Sequence, residues 1–330
     1  MENVRLAVIG LGKMGLLHAT ILNTMPDVEI VALCDKSSML LRIAKKLFKK
    51  AKMVKEVTKL TDLSVNSVYV TTPIPSHFSI ITSLLSNSIA QNIFVEKTLA
   101  SSWDKARELC ELTRTFEGVN MVGYMKRFSV TFRKAKSILD QEGLGNILSF
   151  DAYAFSSDFS KIHQGSKKTT IRGGVLRDLG SHVIDLAVWF FGDFEVDSAS
   201  LTSIVNEASE DSANFAVSKS DLIGRFAISW CVEKYRMPSF GITVVGSKGT
   251  MKVDDYSLNL NLNNGKDLRW FRHDLDDAVN FLLGDPEYYR EDEAFVKSVL
   301  FGGKIEPNFK TGSRTDYIID QVKKEAKANS

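Results

Sequence analysis

Three groups of residues in this 330-residue chain combine reactive side chains or bare backbone with informative spacing. The first is Gly10-Leu11-Gly12-Lys13-Met14-Gly15, which joins an apolar, β-branched run to an amphipathic stretch of helical length. Gly10 permits a tight turn, Gly12 lets a pyrophosphate approach the backbone, and Gly15 lets strand and helix pack closely. The phosphates are then received by N–H groups at the helix start. Asp35 follows 20 residues after Gly15, at the end of the next β-branched run, where a carboxylate accepts both hydroxyls of a ribose. An acid there repels a 2′-phosphate, so NAD is the expected cofactor; Lys36, Ser37 and Arg42 leave NADP use open.

The second group is Ile93-Phe94-Val95-Glu96-Lys97, an apolar strand ending in a charged pair. In open α/β sheets that end of a strand faces the ligand. A lysine there can hydrogen-bond a reacting oxygen and support developing alkoxide charge; the alternative is a surface ion pair. Thr72-Pro73-Ile74-Pro75 with His77 forms a neighbouring strand-to-helix loop, in which His77 either touches the cofactor or caps the helix. In the third group, Asp178, His182 and Asp185 fall at i, i+4 and i+7, one face of a helix opposite Leu179, Val183 and Leu186. A carboxylate bonded to one imidazole nitrogen raises the basicity of the other, as proton abstraction from a hydroxyl requires. A satisfied polar face, a metal site and a helix-dipole contact by Asp178 compete with that reading.

The elements that must carry these groups follow from periodicity. The first 120 residues alternate strands (5–10, 29–34, 67–71, 92–96, 120–123) with helices (14–24, 38–50, 76–86, 102–115), the pattern of a doubly wound parallel sheet. Beyond residue 123 a helix (130–142), a strand (147–156) and a helix (175–191) precede a run of strands from 197 to 273 that reads as an antiparallel meander, closed by two helices. Two domains are expected, 1–123 for the dinucleotide and 124–330 for the substrate. The basic run Arg42, Lys45, Lys46, Lys49, Lys50, Lys52 and Lys55 reads as the wet face of the helix from Ser38, with Leu40, Leu41, Ile43, Ala44 and Leu47 inside.

Composition narrows the function classes. Lysine plus arginine number 42 against 40 acids, which gives no field for nucleic acid or an anionic membrane. Cys34, Cys110 and Cys231 show neither disulfide nor metal spacing, and the longest wholly apolar run, Leu186–Phe191, is too short to span a bilayer. A cytoplasmic location is expected.

With Gly10 to Gly15, Asp35, Thr72-Pro73, Glu96-Lys97, Gly123-Tyr124-Met125-Lys126-Arg127-Phe128 and Asp178-x-Gly180-x-His182-x-x-Asp185 in order, the chain resembles the glucose-fructose oxidoreductase and inositol dehydrogenase (Gfo/Idh/MocA) family. The resemblance implies an N-terminal Rossmann domain and a C-terminal α/β domain on a large open, mostly antiparallel sheet. It further implies homodimers or homotetramers through that sheet and a sugar, cyclitol or sugar-nucleotide substrate. By the same resemblance Lys97 and His182 are the acid/base groups, Asp178 partners His182, Asp185 stands near substrate hydroxyls, and Tyr235, Lys126 and Arg127 contact substrate. Lys161, His163, Lys167, Lys168 and Arg172, in the polar loop 156–172, are candidates for meeting a phosphate or nucleotide. One departure stands out: Thr98 replaces the family's proline after Glu-Lys, and a trans Lys97-Thr98 bond is expected. A catalytically silent nucleotide sensor on the same fold is the competing class.

Overall fold

The β-branched runs of the N-terminal third fold as a parallel sheet. A computed structural model of the chain describes residues 3–158, 173–203, 209–281 and 284–328. Strands β1 (Val4–Ile9), β2 (Val28–Cys34), β3 (Lys52–Val54), β4 (Ser67–Val70), β5 (Asn92–Glu96) and β6 (Asn120–Gly123) lie in the order β3-β2-β1-β4-β5-β6, all parallel. Helices α1 (Lys13–Leu22), α2 (Ser38–Leu47), α3 (His77–Ser86) and α4 (Trp103–Leu112) connect them. Strand order reverses between β1 and β4, and the crevice at the carboxyl ends of those strands is where such sheets take ligands.

Two local expectations change. Strand β3 goes unsignalled in the sequence because it is three residues long, pairs on one side only, and includes the exposed Lys52. Helix α2 buries only Leu41 and Ala44, while Ile43 and Leu47 are 45% and 61% exposed. The helix covers the narrow margin of the sheet at β2 and β3, which offers too little surface to shelter the wider apolar stripe.

The chain divides into two compact units, 1–125 with 279–313, and 126–278 with 314–330. The stretch 279–313, which contains α7 (Glu287–Phe301), thus groups with the first unit rather than with its sequence neighbours. In the first unit Val68, Val70, Ile93, Val95, Leu84 and Leu109 form part of one core, and α7 packs against α1.

The second unit is built on an eight-stranded sheet in the order β14-β13-β12-β11-β7-β10-β9-β8. Its strands are β7 (Ile147–Phe155), β8 (Glu195–Thr202), β9 (Ser212–Lys219), β10 (Leu222–Ser229), β11 (Ser239–Gly246), β12 (Gly249–Asp254), β13 (Ser257–Leu262) and β14 (Asp267–Phe271). The simple meander is interrupted: β7 inserts between β10 and β11, parallel to the first and antiparallel to the second. Phe150, Ala152 and Ala154 of β7 face the core shared with α5 (Val130–Asp140), α6 (Ser181–Phe191) and the end of α8 (Phe309–Ala328). The alternate residues of β7 face the other side of the sheet. Among the described residues no helix is long and apolar enough to cross a membrane.

Candidate functional site

The glycine turn is shaped by what its neighbours leave no room for. Gly10 adopts φ +94°, a conformation that disfavours a side chain, and a Cβ on Gly15 would lie 1.8 Å from the Gly10 carbonyl oxygen. Gly12 differs: a Cβ there meets nothing within 4 Å, so its bare backbone faces open space at the start of α1. No side chain caps that helix start, and Lys13 and Met14 occupy its first turn. Unobstructed backbone and helix N-terminus fit a dinucleotide's pyrophosphate, and the flanking acid fits its ribose. Asp35 accepts one amide on each oxygen, from Leu11 and from Ser37, both at 2.7 Å. Each carboxylate oxygen keeps a further acceptor position for a ribose hydroxyl.

At the ends of β4 and β5 the structure reassigns His77. Its ring is fully buried, with Nε2 2.7 Å from the Thr72 carbonyl and Nδ1 2.9 Å from that of Thr98. Burial pushes the imidazole below its ordinary pKa, against the smaller opposing effect of the carbonyls. The neutral ring, with one N–H, donates to one of these two carbonyls and packs between the Thr72-Pro73 loop and the segment after β5, a buried place beneath the loop it was expected to share with a cofactor. Pro73 is exposed and Thr72 half-buried beside it, with the Thr72 hydroxyl accepting from Ser76 at 2.8 Å. The Lys97-Thr98 bond is cis, not trans. Thr98 is wholly buried, its hydroxyl donating to the Ala100 carbonyl at 2.9 Å and its own carbonyl facing His77. Lys97 is half-buried, and its amide donates to Glu96 Oε2 at 3.1 Å.

Behind Glu96 lies a group the sequence did not single out. His18, fully buried on α1, donates from Nδ1 to Asp292 Oδ1 at 2.7 Å and from Nε2 to Glu96 Oε1 at 2.9 Å. Burial acts to lower its pKa, but the charges and hydrogen bonds of Asp292 and Glu96 outweigh that and hold it well above 6.5. His18 and His77 are equally buried and shift in opposite directions, because one faces carboxylates and the other carbonyls. The only legible signal for His18 was its place one turn beyond the glycine motif; Asp292 is 274 residues away.

In the second unit Leu176–Gly180 forms a π-helical turn that leads into α6, where a continuous α-helix was expected. Such turns are frequent at functional sites. Asp178 lies in this turn, half-buried, and His182 in the first turn of α6. Rather than presenting a polar face to solvent, α6 buries Ser181 through Ala187 continuously, so its polar residues find partners inside. Asp185 and Arg127 form a two-pronged ion pair, 2.7 Å at each contact, with both residues almost completely buried. Lys126 pairs with Asp255 at 2.7 Å and lies 5.2 Å above the Phe240 ring, whose edge meets His182 at 5.1 Å. Lys126, Arg127 and Asp185, expected to contact substrate, are thus almost wholly buried and joined in ion pairs, Lys126 with Asp255 and Arg127 with Asp185. Asp255, a residue the sequence did not suggest, completes that arrangement and also accepts the amide of Phe240 at 3.0 Å.

Tyr235 is not part of it. Its ring packs on Phe155 (5.3 Å) and Tyr153 (6.4 Å), on the face of β7 turned away from α6. Strand alternation puts these rings opposite Ala152 and Ala154. Lys161, His163, Lys167, Lys168 and Arg172 lie outside the described residues.

A Rossmann-type sheet with an open glycine turn, an acid at the end of β2 and an α/β unit on a large mixed sheet defines a two-unit dinucleotide-binding protein. Residues 4–124 match the model of the oxidoreductase family with NAD-binding Rossmann fold, and residues 132–252 that of the GFO/IDH/MocA C-terminal domain. The chain belongs to the GFO/IDH/MocA family of NAD-binding oxidoreductases.

Its similarity to individual members is modest. It is 26% identical over 196 residues to scyllo-inositol 2-dehydrogenase (NAD(+)) of Bacillus subtilis, covering 58% of this chain and about half (55%) of that relative's length. It is 24% identical over 327 residues to inositol 2-dehydrogenase of Rhizobium meliloti, covering 94% and 92% of the two chains. A solved levoglucosan dehydrogenase in complex with NADH and levoglucosan shares the fold, with TM-score 0.90 at 18% identity over 99% of this chain and 98% of that one.

Proposed function

We propose that the protein is an NAD-dependent dehydrogenase or reductase acting on a secondary hydroxyl or ketone of a sugar, cyclitol or sugar nucleotide. The observation that carries this reading is the end of β5. There Glu96, bonded to buried His18, accepts the Lys97 amide and so holds a half-buried lysine at the carboxyl edge of the NAD-binding sheet. A lysine so placed donates a hydrogen bond to the reacting oxygen and supports its charge. His182, on the second unit, takes the hydroxyl proton; Asp178, four residues earlier, orients it. Bound NAD supplies the hydride acceptor. Asp35 holds the adenosine ribose and disfavours a 2′-phosphate, so NAD is used in preference to NADP. The names of the inositol and levoglucosan relatives support polyols as the substrate class.

The outward face of the second sheet, with Tyr153, Asn214, Ala216, Arg225 and Thr243 lining a shallow concavity, is the proposed contact between copies in a homodimer or homotetramer. Light scattering coupled to size exclusion tests that, with a monomer refuting it.

The deciding experiment follows nicotinamide absorbance across a panel of inositols, hexoses and anhydrosugars, for the wild type and for Lys97→Ala. Lys97→Ala is expected to bind NADH while losing turnover by about 10²–10⁴-fold. Tight NAD binding with no turnover on any polyol favours the sensor instead, and full activity in Lys97→Ala removes the lysine's assigned role.

A further inference from the structure

The deepest polar cluster of the first unit lies beneath the end of β5, and the proton and hydride steps above leave its innermost members without a task. His18 of α1 stands between Asp292 of α7 and Glu96 of β5. Rings of Tyr69, Phe94 and Tyr288 surround it at 5.5, 5.2 and 6.0 Å. Because ionised carboxylates only accept, two carboxylate neighbours call for two N–H donors, and the ring is an imidazolium. His18 and Asp292 have no exposed side-chain surface, whereas Glu96 retains 11%, so Glu96 alone of the three reaches the surface. Its second oxygen accepts the Lys97 amide.

The acids outnumber the one cation, and Glu96 is the carboxylate of the trio that stands at the sheet edge. Glu96 lies two strands from the glycine turn, across the β1/β4 reversal from Asp35. A dinucleotide with its adenosine ribose on Asp35 and its pyrophosphate on α1 directs its nicotinamide toward β4 and β5. The oxidised ring is cationic and the reduced ring neutral. We infer that Glu96, oriented by His18 and Asp292, biases the site toward the oxidised dinucleotide, with His18 and Asp292 as positioning residues. This deepens the proposed function and rests on its dinucleotide site.

The groups facing the cluster are the acids Glu96, Asp292, Glu291, Glu287 and Asp285, the imidazole of His77, and the phenols of Tyr69 and Tyr288. Burial, reinforced by these carboxylates, pushes both phenols well above 10. Neither therefore ionises between pH 5 and 9.

The test needs no substrate. Dissociation constants for NAD⁺ and NADH are measured by calorimetry and nicotinamide fluorescence at pH 5 to 9 for wild type, Glu96→Gln and His18→Gln. Their ratio cancels general damage to the fold, which weakens both forms alike. Wild type is expected to hold a flat ratio, and Glu96→Gln to lose about tenfold in relative preference for NAD⁺ at every pH. His18→Gln removes the donor that orients Glu96, so its ratio is expected to shift from the wild-type value toward that of Glu96→Gln. An unchanged ratio in Glu96→Gln overturns the inference, and a flat, wild-type ratio in His18→Gln overturns the positioning role. If His18→Gln does not fold, Asp292→Asn replaces it, read by histidine ¹⁵N resonances: a singly protonated His18 ring in wild type at pH 7 refutes the clamp. Wild-type protein that binds neither form brings down the dinucleotide site as well, whereas binding with an unchanged Glu96→Gln ratio brings down this inference alone.

Discussion

Replacing Asp185 by Asn probes the ion pair on which the second unit's polar interior depends. The side chains of Arg127 and Asp185 are 5% and 1% exposed, and two contacts of 2.7 Å join them. Removing one charge from such a pair leaves the other buried without compensation, at a cost of about 3–5 kcal/mol. The Trp189 ring lies 5.7 Å from the guanidinium and continues to attract it, worth about 1 kcal/mol, and the amide oxygen of Asn keeps one acceptor. A net loss of about 2–4 kcal/mol is therefore expected. For a unit of 150–250 residues each kcal/mol lowers Tm by about 2–4 °C, so the transition falls by about 4–16 °C.

Urea unfolding followed by circular dichroism, repeated for Arg127→Met and for the double variant, closes the cycle. The double variant is expected to be less destabilised than the sum of the single ones, since neither charge is then stranded. A loss under about 1 kcal/mol in Asp185→Asn, or additivity in the cycle, refutes the reasoning, because both would mean that water reaches the pair.

Three further outcomes follow from the first unit. Gly12→Ala is expected to unfold at the wild-type temperature yet bind NADH at least about tenfold more weakly, since its methyl enters open space reserved for the pyrophosphate; Gly15→Ala, with Cβ 1.8 Å from a carbonyl oxygen, is expected to lose about 1–3 kcal/mol of stability. Calorimetric unfolding with and without NADH distinguishes the two. His18 has a folded pKa above its unfolded value, so the folded chain holds the extra proton, and the stability this contributes is complete below about 6.5 and lost as pH rises through the folded value. Stability measured from pH 6 to 10 is expected to fall on the alkaline side in wild type and to fall less steeply in His18→Gln; identical slopes would contradict the clamp.

The cofactor half of the site was legible because its determinants are local. Gly10, Gly12 and Gly15 act through the backbone within one turn, and Asp35 ends the adjacent strand, so spacing along the chain is spacing in space. The same holds for the alternation of strands and helices up to residue 123. Where pairing is between distant segments, local pattern says less: β7 alternates correctly, yet nothing in its own residues states that it enters between β10 and β11.

Charged residues show the limit most clearly. Lys126, Arg127 and Asp185 have types suited to holding a ligand, and only tertiary contact shows that Arg127 pairs with Asp185 and Lys126 with Asp255. His77 and His18 are the same residue on comparable helices, and the chain alone cannot say that one meets carbonyls and the other two carboxylates, one of them from a helix 274 residues on. Side-chain type and short-range spacing determined the dinucleotide turn and the candidates for chemistry. The tertiary fold decided which charges are desolvated and paired, because burial and counter-charge are set by neighbours the sequence does not place side by side.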